Sequence, residues 1–232
     1  MSTSRPSTAR LAVVFYLLES LASLAGQLLI PGRLIVAGDA AATANNIMAN
    51  ESLFRVAIAA ALIAVIFHLV VGVIFYGMFK PVSASFSLIA LLILVVACAV
   101  QAFAALLQIG ALVVLTGHSF GAFSVEQLQA VALMLLNWNG QTYNTYLMFF
   151  GMWCIVTGGL IFRSTFLPRI LGVLFALAGV GYTTYLYAPL ARQLFPYNLA
   201  LGVGELVLLV YLFAVGVNTR RWTELSAGDT SR

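Results

Sequence analysis

Polar side chains are sparse along this chain, and they recur at helical intervals inside long apolar runs. Six runs are long enough to cross a hydrocarbon core of about 30 Å at about 1.5 Å per helical residue. They lie near residues 11–30, 55–79, 84–112, 141–163, 168–190 and 197–218. Each carries a stripe of small or polar residues: Tyr16, Glu19, Ser23 and Gln27 in the first, His68 and Gly72 in the second, Gln101 and Gln108 in the third. Asn144, Gly151 and Gly158 mark the fourth, Gly172 and Gly179 the fifth, and Asn198, Gly202 and Glu205 the sixth. Stripes of this kind are expected to face neighbouring helices, because small residues let backbones approach and polar ones need partners. The alternation of a membrane β-barrel is missing. The pattern predicts an all-α, six-helix transmembrane bundle.

The connections carry their own signals. Between the first two runs, Asp39 precedes Ala-Ala-Ala-Thr-Ala-Asn-Asn-Ile-Met-Ala, which reads as a short helix with an acid at its N-cap. Asn50 is placed to cap the helix that follows. Before the fourth run, Ser124-Val-Glu-Gln has capping-box form, with Phe123 and Leu128 as a hydrophobic staple. The helix it starts is expected either to lie in the membrane interface or to continue into the fourth span. The expected architecture therefore has short amphipathic helices in two loops. Lys80-Pro81 and the stretch from Arg163 to Pro168 are tight links, which make their flanking helices antiparallel neighbours. The domain reading is a polar tail over 1–9, one transmembrane domain over 10–218 and a tail over 219–232, with unstructured polar ends. The first run is read as a retained span rather than a cleaved leader, since Glu19 interrupts it.

Composition agrees with lipid as the main surroundings. Hydrophobic residues make up 62% of the 232 and charged residues 8%, against about 25% charged in a soluble domain. The net charge of +4 follows from topology. With an even number of spans, one side receives Arg5, Arg10, Lys80, Arg163, Arg169, Arg220, Arg221 and Arg232, and the other receives Arg33, Arg55 and Arg192. The positive-inside rule then puts both termini in the cytoplasm. This leaves no basic face for nucleic acid. Cys98 and Cys154 lie inside apolar runs and outside any CxxC spacing, so a disulfide or metal framework is not expected.

Three ionisable residues fall near mid-depth: Glu19, Glu205 and His68. Each acid is about eight residues from the nearer end of its run, roughly 12 Å deep. A charge there costs roughly 3 kcal/mol on insertion scales, so these groups must be neutral, paired or bathed by water. They form either a proton relay or polar substrate site, or plain hydrogen-bonding contacts between helices. A second group, Gln27, Gln101, Gln108, Gln141, Asn144 and Tyr182, reads either as an outward polar vestibule or as an interfacial belt. Catalytic and nucleotide-binding signatures such as GxSxG, HExxH and the P-loop are absent from the sequence. Of the two histidines, His118 lies in a loop and His68 in a span, which does not suit a bis-histidine haem. No catalytic residue, metal or cofactor is expected.

Several stretches carry a resemblance. Arg33 to Ile47 with Glu51-Ser-Leu-Phe-Arg, Glu126-Gln-Leu-Gln, and Phe162-Arg-Ser-Thr-Phe-Leu-Pro-Arg-Ile-Leu-Gly-Val-Leu with Ala178-Gly-Val-Gly-Tyr resemble the bacterial "domain of unknown function 4386" family. The resemblance covers about residues 8–218. It implies a bacterial integral membrane protein and brings no activity, ligand or catalytic residue with it.

Three functions compete at this point. The first is a non-enzymatic accessory or small-molecule-binding membrane component. The second is a small proton-coupled transporter using Glu19, His68 and Glu205, against which stands the lack of an internal repeat. The third is an intramembrane enzyme acting on a lipid or quinone. The bilayer is the expected partner; a small-molecule ligand or a protein partner is compatible with all three.

Overall fold

A computed structural model describes residues 5–117 and 121–229, and those residues contain no strand. His118 and Arg232 lie outside them. The helices in order are α1 (Arg5–Ser23), continued by a π-helical turn over Leu24–Leu29, α2 (Pro31–Leu34), α3 (Ala40–Ala49), α4 (Glu51–Phe79), α5 (Ala84–Thr116) and α6 (Val125–Arg163). They are followed by α7 (Arg169–Thr183) with a 3₁₀ turn over Thr184–Leu186, α8 (Ala188–Leu194), α9 (Tyr197–Leu201), α10 (Val203–Ala214) and α11 (Thr219–Asp229). Six helical segments among the described residues are long and apolar enough to cross a membrane: Thr8–Leu34, Glu51–Phe79, Ala84–Thr116, Val125–Arg163, Arg169–Leu186 and Tyr197–Ala214. The chain is a multi-pass membrane protein.

The capping signals act largely as their residues dictate. Asp39 accepts from the Ala42 N–H at 2.8 Å and starts α3. Ser124 and Gln127 cap each other's backbone N–H groups at 2.8 and 3.3 Å, which starts α6. No breaker follows until well inside the span, so the loop helix runs straight into the fourth span. Asn50 behaves differently. Its side chain donates to the Asn46 carbonyl at 2.9 Å, closing the end of α3 instead of capping α4. The fifth span is shorter than its apolar run, because Pro189 at the start of α8 cannot continue the preceding helix.

The described residues nearest each end, from Arg5 and up to Asp229, are helical where the sequence predicts unstructured tails. The described N-terminal residues belong to α1 from Arg5 onward. At the other end, α11 is tied down by two side chains. Trp222 donates to the Met78 carbonyl at 2.8 Å, satisfying an acceptor in the last turn of α4, and Arg221 donates to the Thr165 carbonyl at 3.1 Å.

The chain divides into two compact units. One comprises residues 1–17, 68–98 and 145–232, and the other residues 18–67 and 99–144. In the first, α6 and α7 meet through glycines. A methyl group on Gly158 would strike the Gly172 carbonyl and Ala176, and one on Gly151 would strike the Gly179 carbonyl and Thr183. The two contacts are seven residues apart on each helix, so the helices run antiparallel in a heptad register. The polar and small stripes of the fourth and fifth runs thus face one another. The second unit has an apolar core in which Ile47 of α3 and Leu34 join Phe54 and Ile58 of α4, Leu112 of α5 and Leu136 of α6. Thr43 and Asn46 tie α3 to the 34–36 backbone at 2.9–3.2 Å, so this connection is structured.

Candidate functional site

In the first unit the ionisable residues sit among aromatic rings. Glu205 stands in the first turn of α10. It accepts from the Tyr182 hydroxyl at 2.6 Å. Tyr16 of α1 lies close to the same carboxyl group. Gly202 gives Tyr182 its path, since a methyl there would stand 3.3 Å from the phenol oxygen. His68 is 1% exposed and shares a hydrogen bond of 3.3 Å with the Tyr146 hydroxyl through Nδ1. Its ring is walled by Phe150, Trp153, Tyr146 and Tyr16 at centroid distances of 5.3, 5.9, 6.1 and 6.3 Å. Tyr16 therefore neighbours both ionisable groups. A cavity the size of a single water lies nearby on the Trp153 side, lined by Ser87 and Thr157, whose buried hydroxyls have no partner among the described residues.

The second unit holds amides instead of charges. Ser23 pairs with the Tyr143 hydroxyl at 3.0 Å and accepts from Gln101 at 3.3 Å. Gln108 donates to the Gly26 carbonyl at 3.1 Å and to Gln27 at 3.4 Å. Asn139 donates to Gln27 at 3.2 Å and to the Ala104 carbonyl at 2.8 Å. The Gly26 carbonyl is available for a clear reason. In the π-helical turn the Ile30 N–H bonds to Ala25 at 3.2 Å. The next residue that could serve Gly26 is Pro31, which has no N–H. Gly26 also lies so close to α4 that a methyl group would strike the Ala57 carbonyl and the Ala61 nitrogen. Glu19, 5% exposed, belongs to this unit and accepts from Ser20 at 3.4 Å.

The predicted residues therefore sort differently from their sequence grouping. His68 and Glu205 share the first unit, while Glu19 belongs to the second. Gln27, Gln101 and Gln108 form one buried seam. Tyr182 leaves that group and serves Glu205. Gln141 is exposed and Asn144 half-buried. Trp153 enters a site that the sequence reading did not give it, while Tyr16, read as part of the first stripe, stands with Tyr146 beside His68; the signal for Trp153 was its helical spacing with Tyr146 and Phe150. No group of three or more His, Cys, Asp or Glu side chains among the described residues is placed to hold a metal ion.

Neither a curated protein nor a solved structure matches the chain. Residues 11–216 match the family described as "Domain of unknown function (DUF4386)", and the stretch contains both polar clusters and all but the outermost ends of the spans. The chain belongs to that family.

Proposed function

We propose that this is a non-enzymatic component of the bacterial cytoplasmic membrane, with both termini in the cytoplasm, whose buried polar clusters fix the arrangement of its helices. One observation carries the reading. Glu205 and His68 are each met by a phenol, Glu205 by Tyr182 at 2.6 Å and His68 by Tyr146 at 3.3 Å. Groups satisfied in this way act as links between helices. The orientation rests on the excess of Lys and Arg in the links assigned to one side.

A second reading, proton-coupled transport, is supported by Tyr16, which lies near both Glu205 and His68. One experiment separates the two. Proteoliposomes carrying an internal pH dye are given a potassium diffusion potential, and proton entry is compared for wild type, Glu205→Gln and His68→Gln. The structural reading expects wild-type entry equal to that of empty liposomes, together with a lowered melting temperature for both variants. Wild-type proton entry that Glu205→Gln abolishes at unchanged melting temperature would replace it with the transport reading.

A further inference from the structure

A groove of about 360 Å³ opens on the first unit between α6 and α7. Its walls are almost entirely apolar, with Gly159, Ala176 and Val180 along its length and Arg163 at one end. The glycine contacts described above hold the two helices together, but Gly159 takes no part in them. A methyl group on Gly159 would meet nothing within 4 Å. Helix contact therefore does not require glycine at this position, and the missing side chain keeps the groove open.

The polar end has a definite charge. The Arg163 guanidinium lies over the Phe86 ring at 5.4 Å, and the Arg169 guanidinium lies over Phe162, another groove residue, at 5.7 Å. Neither has a carboxylate partner among the described residues. The ring contacts hold both cations at the α6–α7 turn while leaving their N–H donors available. Arginine presents those donors in a planar fork suited to phosphate oxygens. From Ile155 to Arg163 the α6 wall runs roughly 12 Å at helical rise. An apolar slot of that length with two unneutralised cations at its mouth fits a molecule with a hydrocarbon tail and a phosphate head.

We propose that the α6–α7 groove binds one anionic phospholipid, with its phosphate on Arg163 and Arg169 and an acyl chain along Gly159, Ala176 and Val180. A zwitterionic lipid offers the same tail, but its ammonium offsets the phosphate charge. Headgroup charge should therefore decide occupancy. The proposal is independent of the function proposed above, because neither Glu205 nor His68 lines the groove.

Native mass spectrometry of the full chain in detergent, titrated with phosphatidylglycerol or phosphatidylcholine, tests the proposal. Wild type is expected to retain one phosphatidylglycerol at about tenfold lower lipid concentration than phosphatidylcholine, in line with two basic residues near a charged headgroup. The Arg163→Gln/Arg169→Gln variant should bind both lipids alike, and Gly159→Leu should retain neither. The arginine variant alters two exposed side chains, so its result stands even if Gly159→Leu does not fold. Equal retention of the two lipids by wild type would overturn the proposal. So would unchanged phosphatidylglycerol binding by the arginine variant, or a wild-type dimer in place of the lipid adduct that Gly159→Leu disperses.

Discussion

Glu205 in the first unit, half-buried, and Gln108 in the second, fully buried, are both polar side chains on apolar helices, yet their surroundings solve different problems. Glu205 is an ionisable group, and its hydrogen-bond partner is the Tyr182 phenol, which brings a hydroxyl donor on a large apolar ring. Gln108 carries no charge, and its partners are a backbone carbonyl and another amide. The phenol cluster satisfies polar atoms while keeping the surroundings aromatic. The amide seam satisfies polar atoms by filling gaps in backbone hydrogen bonding. Within one membrane protein, the chemistry of the buried group decides which kind of neighbour surrounds it.

Substitutions that remove one partner at a time test this contrast. The largest effect is expected for Glu205→Leu, which removes the acceptor of the Tyr182 phenol at about 1–3 kcal/mol and replaces the carboxyl group of a polar cluster; thermal unfolding in detergent should show the largest drop in melting temperature of the set. Gln108→Met comes next. It leaves the Gly26 carbonyl without a donor and should cost about 1–2 kcal/mol. Pro31→Ala restores an N–H at the position that can serve that carbonyl, so the same substitution should cost less in a Pro31→Ala background. A double-mutant cycle with no coupling would remove the backbone-gap explanation of the seam. Tyr182→Phe deletes one donor to Glu205 and keeps the ring, for a loss of about 1 kcal/mol. Gln101→Met should cost least, near the average of about 0.6 kcal/mol for a side-chain hydrogen bond within a membrane protein, because the Gln101 carbonyl oxygen already has no partner among the described residues. If Gln101→Met proved as harmful as Glu205→Leu, the distinction between the two regions would fail.

Much of this arrangement is legible in the residue pattern. The six spans, α3 with its Asp39 cap and the Ser124–Gln127 capping box follow from apolar periodicity and local side-chain chemistry. The facing stripes of α6 and α7 follow too, since glycines seven residues apart on both helices have one close antiparallel register. The site was less legible. Depth read from assumed helix ends put Tyr182 with the glutamines. The fifth helix stops at Thr183, and Gly202 separates α9 from α10, so Tyr182 and Glu205 meet across two helix ends that the apolar runs conceal. Pro31 was visible in the sequence, but the gap it leaves at Gly26 depends on a π-helical turn, and no local signal in Leu24–Leu29 announces that register. Partners far apart in sequence, such as Tyr16 with His68 or Gln27 with Asn139, depend on tertiary placement that one sequence does not encode in any short window.

The glycine register of α6 and α7 also bears on how the chain is made. Its contacts join helices separated by a link of only a few residues, so they close over a short loop at small entropic cost. The hairpin can thus form as soon as α7 has been synthesised, before α10 leaves the ribosome. Tyr182 is then already fixed near the end of α7, and the Leu174 carbonyl already marks where Gly204 must fit. The last span arrives with Glu205 in its first turn and finds its hydrogen-bond donor in position. The order of synthesis matches the order of need: the acid enters the membrane after the group that makes its burial tolerable.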